Sequence, residues 1–126
     1  MRLGELERAV MNELWVRPDG ALAREVAESL PSRPAVTTVL TILDRLVRKG
    51  LVTREREGRA HRYHPSRTKD AHVAGLMHEA FAGAGDRESA LSHFLDSVSD
   101  EDVAALRRAL SALEDRDPGT DRERPR

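Results

Sequence analysis

Five polar side chains recur along one stretch of the chain at helical spacing: Thr37, Thr38, Thr41, Arg45 and Arg48. Steps of three and four residues return to one face of a helix that has 3.6 residues per turn. Threonine offers a hydroxyl beside a methyl group, and arginine offers five donors in a planar fork. Such a face suits a target read by hydrogen bonds, such as a base edge or a phosphate oxygen. A few residues on, Arg54, Arg56, Arg59 and Arg62 surround Glu57-Gly58. Four like charges on a short segment repel each other, so the segment gains from an external anion. The plainer alternative is a solvated edge whose charges discourage aggregation.

Other reactive residue types give little support to catalysis. There is no Cys, which excludes disulfides, Cys-ligated metals and thiol nucleophiles. His61 and His64 are three apart on a strand and face opposite sides, and His72 and His78 lie on different sides of a helix. His93 stands apart, and no HExxH, GxSxG or phosphate-cradling Gly loop occurs. The expectation is therefore no enzyme, no cofactor and no metal site. A metal- or haem-responsive regulator using some of these histidines is the alternative, set against the reading that they are isolated surface residues.

The elements that must position the polar face follow from periodicity. Residues 3–16 read as a helix, with Leu3, Leu6, Val10 and Leu14 on one side, ended by Pro18-Asp19-Gly20. Ala21-Leu22 is a short extended segment, and 23–30 form a second helix before the Pro31–Pro34 break. Residues 35–49 form the strongest helix, with Val36, Leu40, Leu43 and Val47 as its inward stripe, widened by Val39 and Leu46. Gly50 sits where a left-handed C-cap is wanted. Residues 51–56 and 59–64 then alternate as two strands joined by a turn at Glu57-Gly58. Helices follow at 69–82, 87–98 and 100–114, the last with Ser99 as N-cap. Residues 115–126 lack apolar anchors and read as a disordered tail.

The 126 residues allow one domain or a small domain with an accessory segment. The composition is 39% hydrophobic, 3% aromatic and 34% charged, with a mean hydropathy of -0.57. No apolar run reaches the length of a membrane span and the N-terminus lacks a signal-peptide pattern, so a cytoplasmic protein is expected. The net charge of -1 hides an asymmetry, since residues 33–67 hold nine basic and three acidic residues. Clustered positive charge, rather than overall charge, makes a polyanion-binding surface.

Helix, short strand, helix, helix, strand, turn, strand is the element order of a winged helix-turn-helix. The predicted fold class is mainly α with a small β-hairpin. A DNA-binding winged helix over 1–67 is followed by a helical dimerisation domain over 68–114. Helix 35–49 would enter the major groove, and the wing at 54–62 would grip phosphate, with Arg59 reaching toward a minor groove. The C-terminal apolar positions Leu76, Phe81, Leu91, Phe94, Leu95, Leu106, Leu110 and Leu113 exceed what a small domain needs as cover, which favours a homodimer. A protein-binding adaptor would leave the arginines and threonines unexplained.

Several stretches also resemble a known family. LGELERAVMNELW, TTVLTILDRLVRKGLV, EGRAHRYHP, HVAGLMHEAF and SDEDVAALRRAL are similar to the penicillinase repressors, the BlaI/MecI/CopY group. The resemblance covers residues 2–114. It implies homodimeric repressors on palindromic double-stranded operators, often near β-lactamase genes, with contacts at Thr37, Thr38, Thr41 and Arg45 and a wing around Gly58-Arg59. It also implies, in the β-lactam branch, induction through cleavage by a membrane sensor protease between Asn and Phe. The matching pair here is His93-Phe94, which keeps the Phe and replaces the Asn. A polar residue in some relatives is replaced here by Leu40. The copper-sensing branch uses a C-terminal Cys motif, which this chain lacks.

Overall fold

The structure is a computed structural model that describes residues 3–116. The chain divides into two compact units, residues 1–80 and 81–126. In the first, α1 (Glu5–Trp15), β1 (Ala21–Leu22), α2 (Ala23–Ser29) and α3 (Val36–Arg48) precede β2 (Val52–Glu57) and β3 (Ala60–Pro65). Helix α4 (Lys69–Ala82) carries the chain into the second unit, which continues as α5 (Arg87–Ser97) and α6 (Asp100–Arg116).

Acids set the starts of the first two helices. Glu7 reaches back to accept the Gly4 amide at 2.9 Å, and Glu25 accepts the Leu22 amide at 2.9 Å. Each satisfies a backbone donor that a helix start leaves without an intrahelical partner, and puts negative charge at the positive end of the helix dipole. α5 and α6 use side-chain caps instead, with Asp86 accepting from the Ser89 amide and Ser99 from the Asp102 amide.

The first unit is built on one core. Val10, Met11 and Leu14 of α1 meet Val26 of α2, Val39, Leu43 and Leu46 of α3, and Val52 and Tyr63 of the sheet. Each fully buried Leu or Val contributes roughly 1.5–3 kcal/mol relative to exposure. The inward stripe of α3 is therefore Val39, Ile42, Leu43 and Leu46, whereas Val36 and Leu40 are exposed. This corrects the predicted Val36/Leu40/Leu43/Val47 stripe. Seven of the thirteen residues of α3 are apolar and cover a wide sector, so spacing alone does not fix which line faces the core.

The sheet is antiparallel in the order β1-β3-β2. Glu57 pairs with Ala60, which leaves Gly58-Arg59 as a two-residue turn. The sequence reading placed the turn one residue earlier. Gly58 takes φ +63°, the left-handed conformation that a tight hairpin favours and that a side chain resists. The shift puts Arg59 in the turn itself.

α4 starts within the first unit. Its His72 is buried and lies 5.2 Å, ring to ring, from Trp15, whose indole Nε1 donates to the Arg67 carbonyl at 3.0 Å. His72 is thus not the isolated surface residue that the sequence suggested. Burial, and then the Arg67 charge, hold its pKa below the usual histidine value.

In the second unit, α5 and α6 contain no buried residue. Leu91, Phe94, Leu95, Leu110 and Leu113 are exposed, and Leu106 and Phe81 are half-buried. The Phe81 ring receives the Arg87 guanidinium at 5.5 Å. α6 runs to Arg116, so residues 115 and 116, read from sequence as the start of a tail, are helical. The rest of that predicted tail, 117–126, lies outside the described residues. No described helix is long and apolar enough to cross a membrane.

Candidate nucleic-acid interface

Anchoring α3 through Val39, Ile42, Leu43 and Leu46 turns a defined face outward. At about 100° per residue, Thr37, Thr41, Asp44 and Arg48 lie opposite that anchor within about 60° of one another. Thr37, Thr38, Thr41, Arg45 and Arg48 are all exposed. Leu40 flanks this face with 38% of its surface open. The Thr41 hydroxyl donates to the Thr37 carbonyl at 3.1 Å, so its methyl and oxygen lone pairs remain for an outside partner.

Arg45 is drawn to one side. Its Nη1 lies 3.8 Å from Glu7 Oε2, and Lys49 Nζ lies 3.1 Å from the same oxygen. Glu7 is buried between these cations and the Gly4 amide. The Gly4 hydrogen bond is the largest cause of its lowered pKa, with further lowering by Lys49 and Arg45 against the penalty of burial. This carboxylate ties α1 to the C-terminal half of α3. Sequence reasoning passed over Glu7, although an acid at the third position of a helix is a recognisable capping signal.

The hairpin sorts its four arginines by strand parity. Arg54 and Arg56 pair across the ladder with Tyr63 and His61, and share a face with buried Tyr63. Arg62 pairs with Glu55 and lies on the opposite face. There Glu57 accepts from Arg62 Nε and Nη2 at 2.9 Å each, and Glu25 stands 3.7 Å away. The Glu57 hydrogen bonds raise the Arg62 pKa and lower that of Glu57. Arg54 Nη1 donates to Asp44 Oδ1 at 3.1 Å, and Arg56 Nε donates to the Gly58 carbonyl at 3.3 Å. Three of the four wing arginines therefore have internal partners, which weakens the argument that mutual repulsion demands an external anion. Among the described residues, Arg59 and Arg48 have no acid or carbonyl partner.

Asp44 was not singled out from sequence. Its signal was present, because it follows Thr41 by three residues and Thr37 by seven. The histidines do not assemble. His64 Nε2 meets Glu55 Oε1 at 3.2 Å, His61 lies 6.3 Å from Tyr63 ring to ring, and His72 packs on Trp15. Among the described residues no group of three or more His, Asp or Glu is arranged to hold a metal ion.

Residues 3–112 match the family described as penicillinase repressor. The chain is 50% identical over 118 residues to a transcriptional regulator named BlaI from Mycobacterium tuberculosis, covering 90% of this chain and 86% of that protein. The same figures hold for the regulator in strain H37Rv. Among solved structures, the DNA-binding domain of the repressor BlaI is 28% identical at a TM-score of 0.49, covering 54% of this chain and 84% of that one. FabT of Streptococcus pneumoniae, solved in complex with DNA, is 22% identical at a TM-score of 0.47, covering 90% and 74% respectively.

Proposed function

Because the chain belongs to the penicillinase repressor family, we propose that it represses transcription as a cytoplasmic homodimer bound to a palindromic DNA operator. The observation that carries this reading is the outward face of α3, where Thr37, Thr41 and Arg48 stand opposite a fully buried stripe. One α-helix fills a major groove about 12 Å wide, and this helix has its body side and its reading side already separated. Thr37, Thr38 and Thr41 would meet base edges, while Arg48 and the flanking Arg45 would meet phosphate. Arg59 at the wing tip would supply a further phosphate contact beside Arg54 and Arg56. Arg62 is set apart by its Glu57 and Glu25 partners and serves the hairpin rather than the DNA.

The helices of the second unit support dimerisation. Helices of this length with no buried residue gain little from propensity alone and need an apolar partner. A second copy supplies one of matching chemistry, and pairs two reading helices for a two-fold operator. The pair His93-Phe94 lies inside α5. A membrane sensor protease acting there needs an extended substrate, so cleavage would require α5 to unwind first.

An electrophoretic mobility shift on the flanking genomic DNA tests the central claim, with footprinting to give half-site spacing. Binding should fall steeply with rising salt. Thr41→Asp should lower operator affinity by about a hundredfold or more, by setting an anion against the groove, with the melting temperature unchanged. An unaltered shift for this variant would refute the placement of α3.

A further inference from the structure

The outward face of α3 carries one acid, Asp44, which lies between Thr41 and Arg48 along the helix and toward the Leu40 edge of that face. α3 contains no other carboxylate than Asp44. Asp44 lies within about 60° of Thr37 and Thr41 around the helix, so a surface seated along that face comes within its reach. Its side chain is 46% exposed. Oδ1 accepts from Arg54 Nη1 at 3.1 Å, and Oδ2 has no hydrogen bond among the described residues.

A carboxylate facing a polyanion costs affinity for DNA in general. It also discriminates, because an ionised carboxylate accepts hydrogen bonds and donates none. In the major groove the donors are the amino groups of cytosine N4 and adenine N6, whereas guanine O6 and N7 and thymine O4 are acceptors. Turning a base pair round moves the amino group to the other strand. A carboxylate held in one place can therefore tell the two orientations apart. Arg54 provides that hold from the wing, and its charge offsets part of the repulsion from nearby phosphates.

We propose that Asp44, positioned by Arg54, is a specificity-determining residue of the interface. It selects cytosine or adenine on the strand it faces, penalises guanine or thymine there, and weakens binding to arbitrary sequence. This rests on the reading that α3 enters the major groove. Arg54 acts through Asp44 as a positioning residue, in addition to any phosphate contact of its own.

The test uses the full chain and a randomised duplex library, selected by binding and sequenced. The wild type, Asp44→Ala, Arg54→Ala and the double variant are compared, with thermal melts to confirm folding. The wild type should yield a two-fold motif with cytosine or adenine enriched at one position of each half-site. Asp44→Ala should flatten that position alone and lower the ratio of selected to arbitrary duplex affinity by about tenfold. Its affinity for arbitrary duplex should rise several-fold. Arg54→Ala should blur the same position, and adding it to Asp44→Ala should change the profile there no further. A motif that survives Asp44→Ala unchanged at every position overturns the proposal and leaves the groove reading standing. A wild type that selects no motif overturns both.

Discussion

The two units place their apolar residues in opposite ways. In the first, Val10, Leu14, Val26, Val39, Leu43 and Leu46 are wholly withdrawn from solvent. In the second, Phe94 and Leu95 are about half open, at 47% and 49%, and Leu110 is 61% open. The first unit thus has a closed core, although Val16, Val73 and Met77 stay exposed, and that core fixes the orientation of α3 and the wing. The second buries no residue of α5 or α6 and leaves Leu91, Phe94, Leu95, Leu110 and Leu113 exposed, the surface on which the proposed dimer rests. If that surface pairs two copies, as proposed, fold stability and assembly should be separable, and substitutions can address them one at a time.

The strongest separation should come from the core. Leu43→Ala removes a buried side chain under α3 and should cost about 2–5 kcal/mol by transfer and cavity terms. Chemical denaturation should show the loss at every protein concentration. A midpoint that recovers as concentration rises would mean that Leu43 contributes to assembly, and would break the contrast.

Next in size is Phe94→Glu, which puts a charge on the exposed face of α5. Dimer mass in sedimentation should be lost, while the first unit melts as before. Operator affinity should drop about a hundredfold, since linked half-sites gain on the order of 10²–10⁴ from joint engagement. A dimer of undiminished mass would show that α5 does not form the contact.

How much of this was readable from sequence depends on how local each feature is. Helix and strand positions came from periodicity, and capping of α6 by Ser99 came from a short motif. The rotation of α3 did not, because its seven apolar residues admit two neighbouring stripes and only the packing of α1, α2 and the sheet chooses between them. The turn at Gly58-Arg59 was displaced by one residue, because Gly is acceptable at either central position of such turns. Burial of His72 depends on Trp15, far away in sequence, and the Asp44–Arg54 pair depends on the docking of a wing against a helix. Charge counting correctly found a basic segment. It missed that Arg62 and Arg45 are drawn toward acids of α1, α2 and the wing.

A smaller effect should come from Arg59→Ala. The residue lies in the wing turn with no internal partner among the described residues, so its loss should leave both folding and dimer mass unchanged. Affinity should fall by several-fold for all sequences alike, and the salt slope should decrease by about one. A change in sequence preference with an unchanged slope would make Arg59 a base reader instead.

The smallest effect concerns pH, and it also divides the units. The resolved pKa shifts of Glu7, Glu57, Arg62 and His72 all belong to the first unit. Glu7 is the most telling, because it is buried and joins α1 to Lys49 and Arg45 of the α3 end. Its folded pKa lies below the reference 4.5, so the folded state holds fewer protons than the unfolded state in the window below that value. Its contribution is complete above pH 4.5 and is lost as pH falls through the folded value. His72, also lowered, acts in the same sense from its reference 6.5 downward. Glu7→Gln keeps the acceptor for the Gly4 amide and removes the titration. The acid slope of first-unit stability should then flatten by at most one proton, about 1.4 kcal/mol per pH unit. Dimer dissociation should keep its own pH profile in this variant, since α5 and α6 contribute none of these groups. If dissociation and first-unit melting shift together, Glu7 acts through assembly, and the separation of stability from association fails at the point where it is most finely drawn.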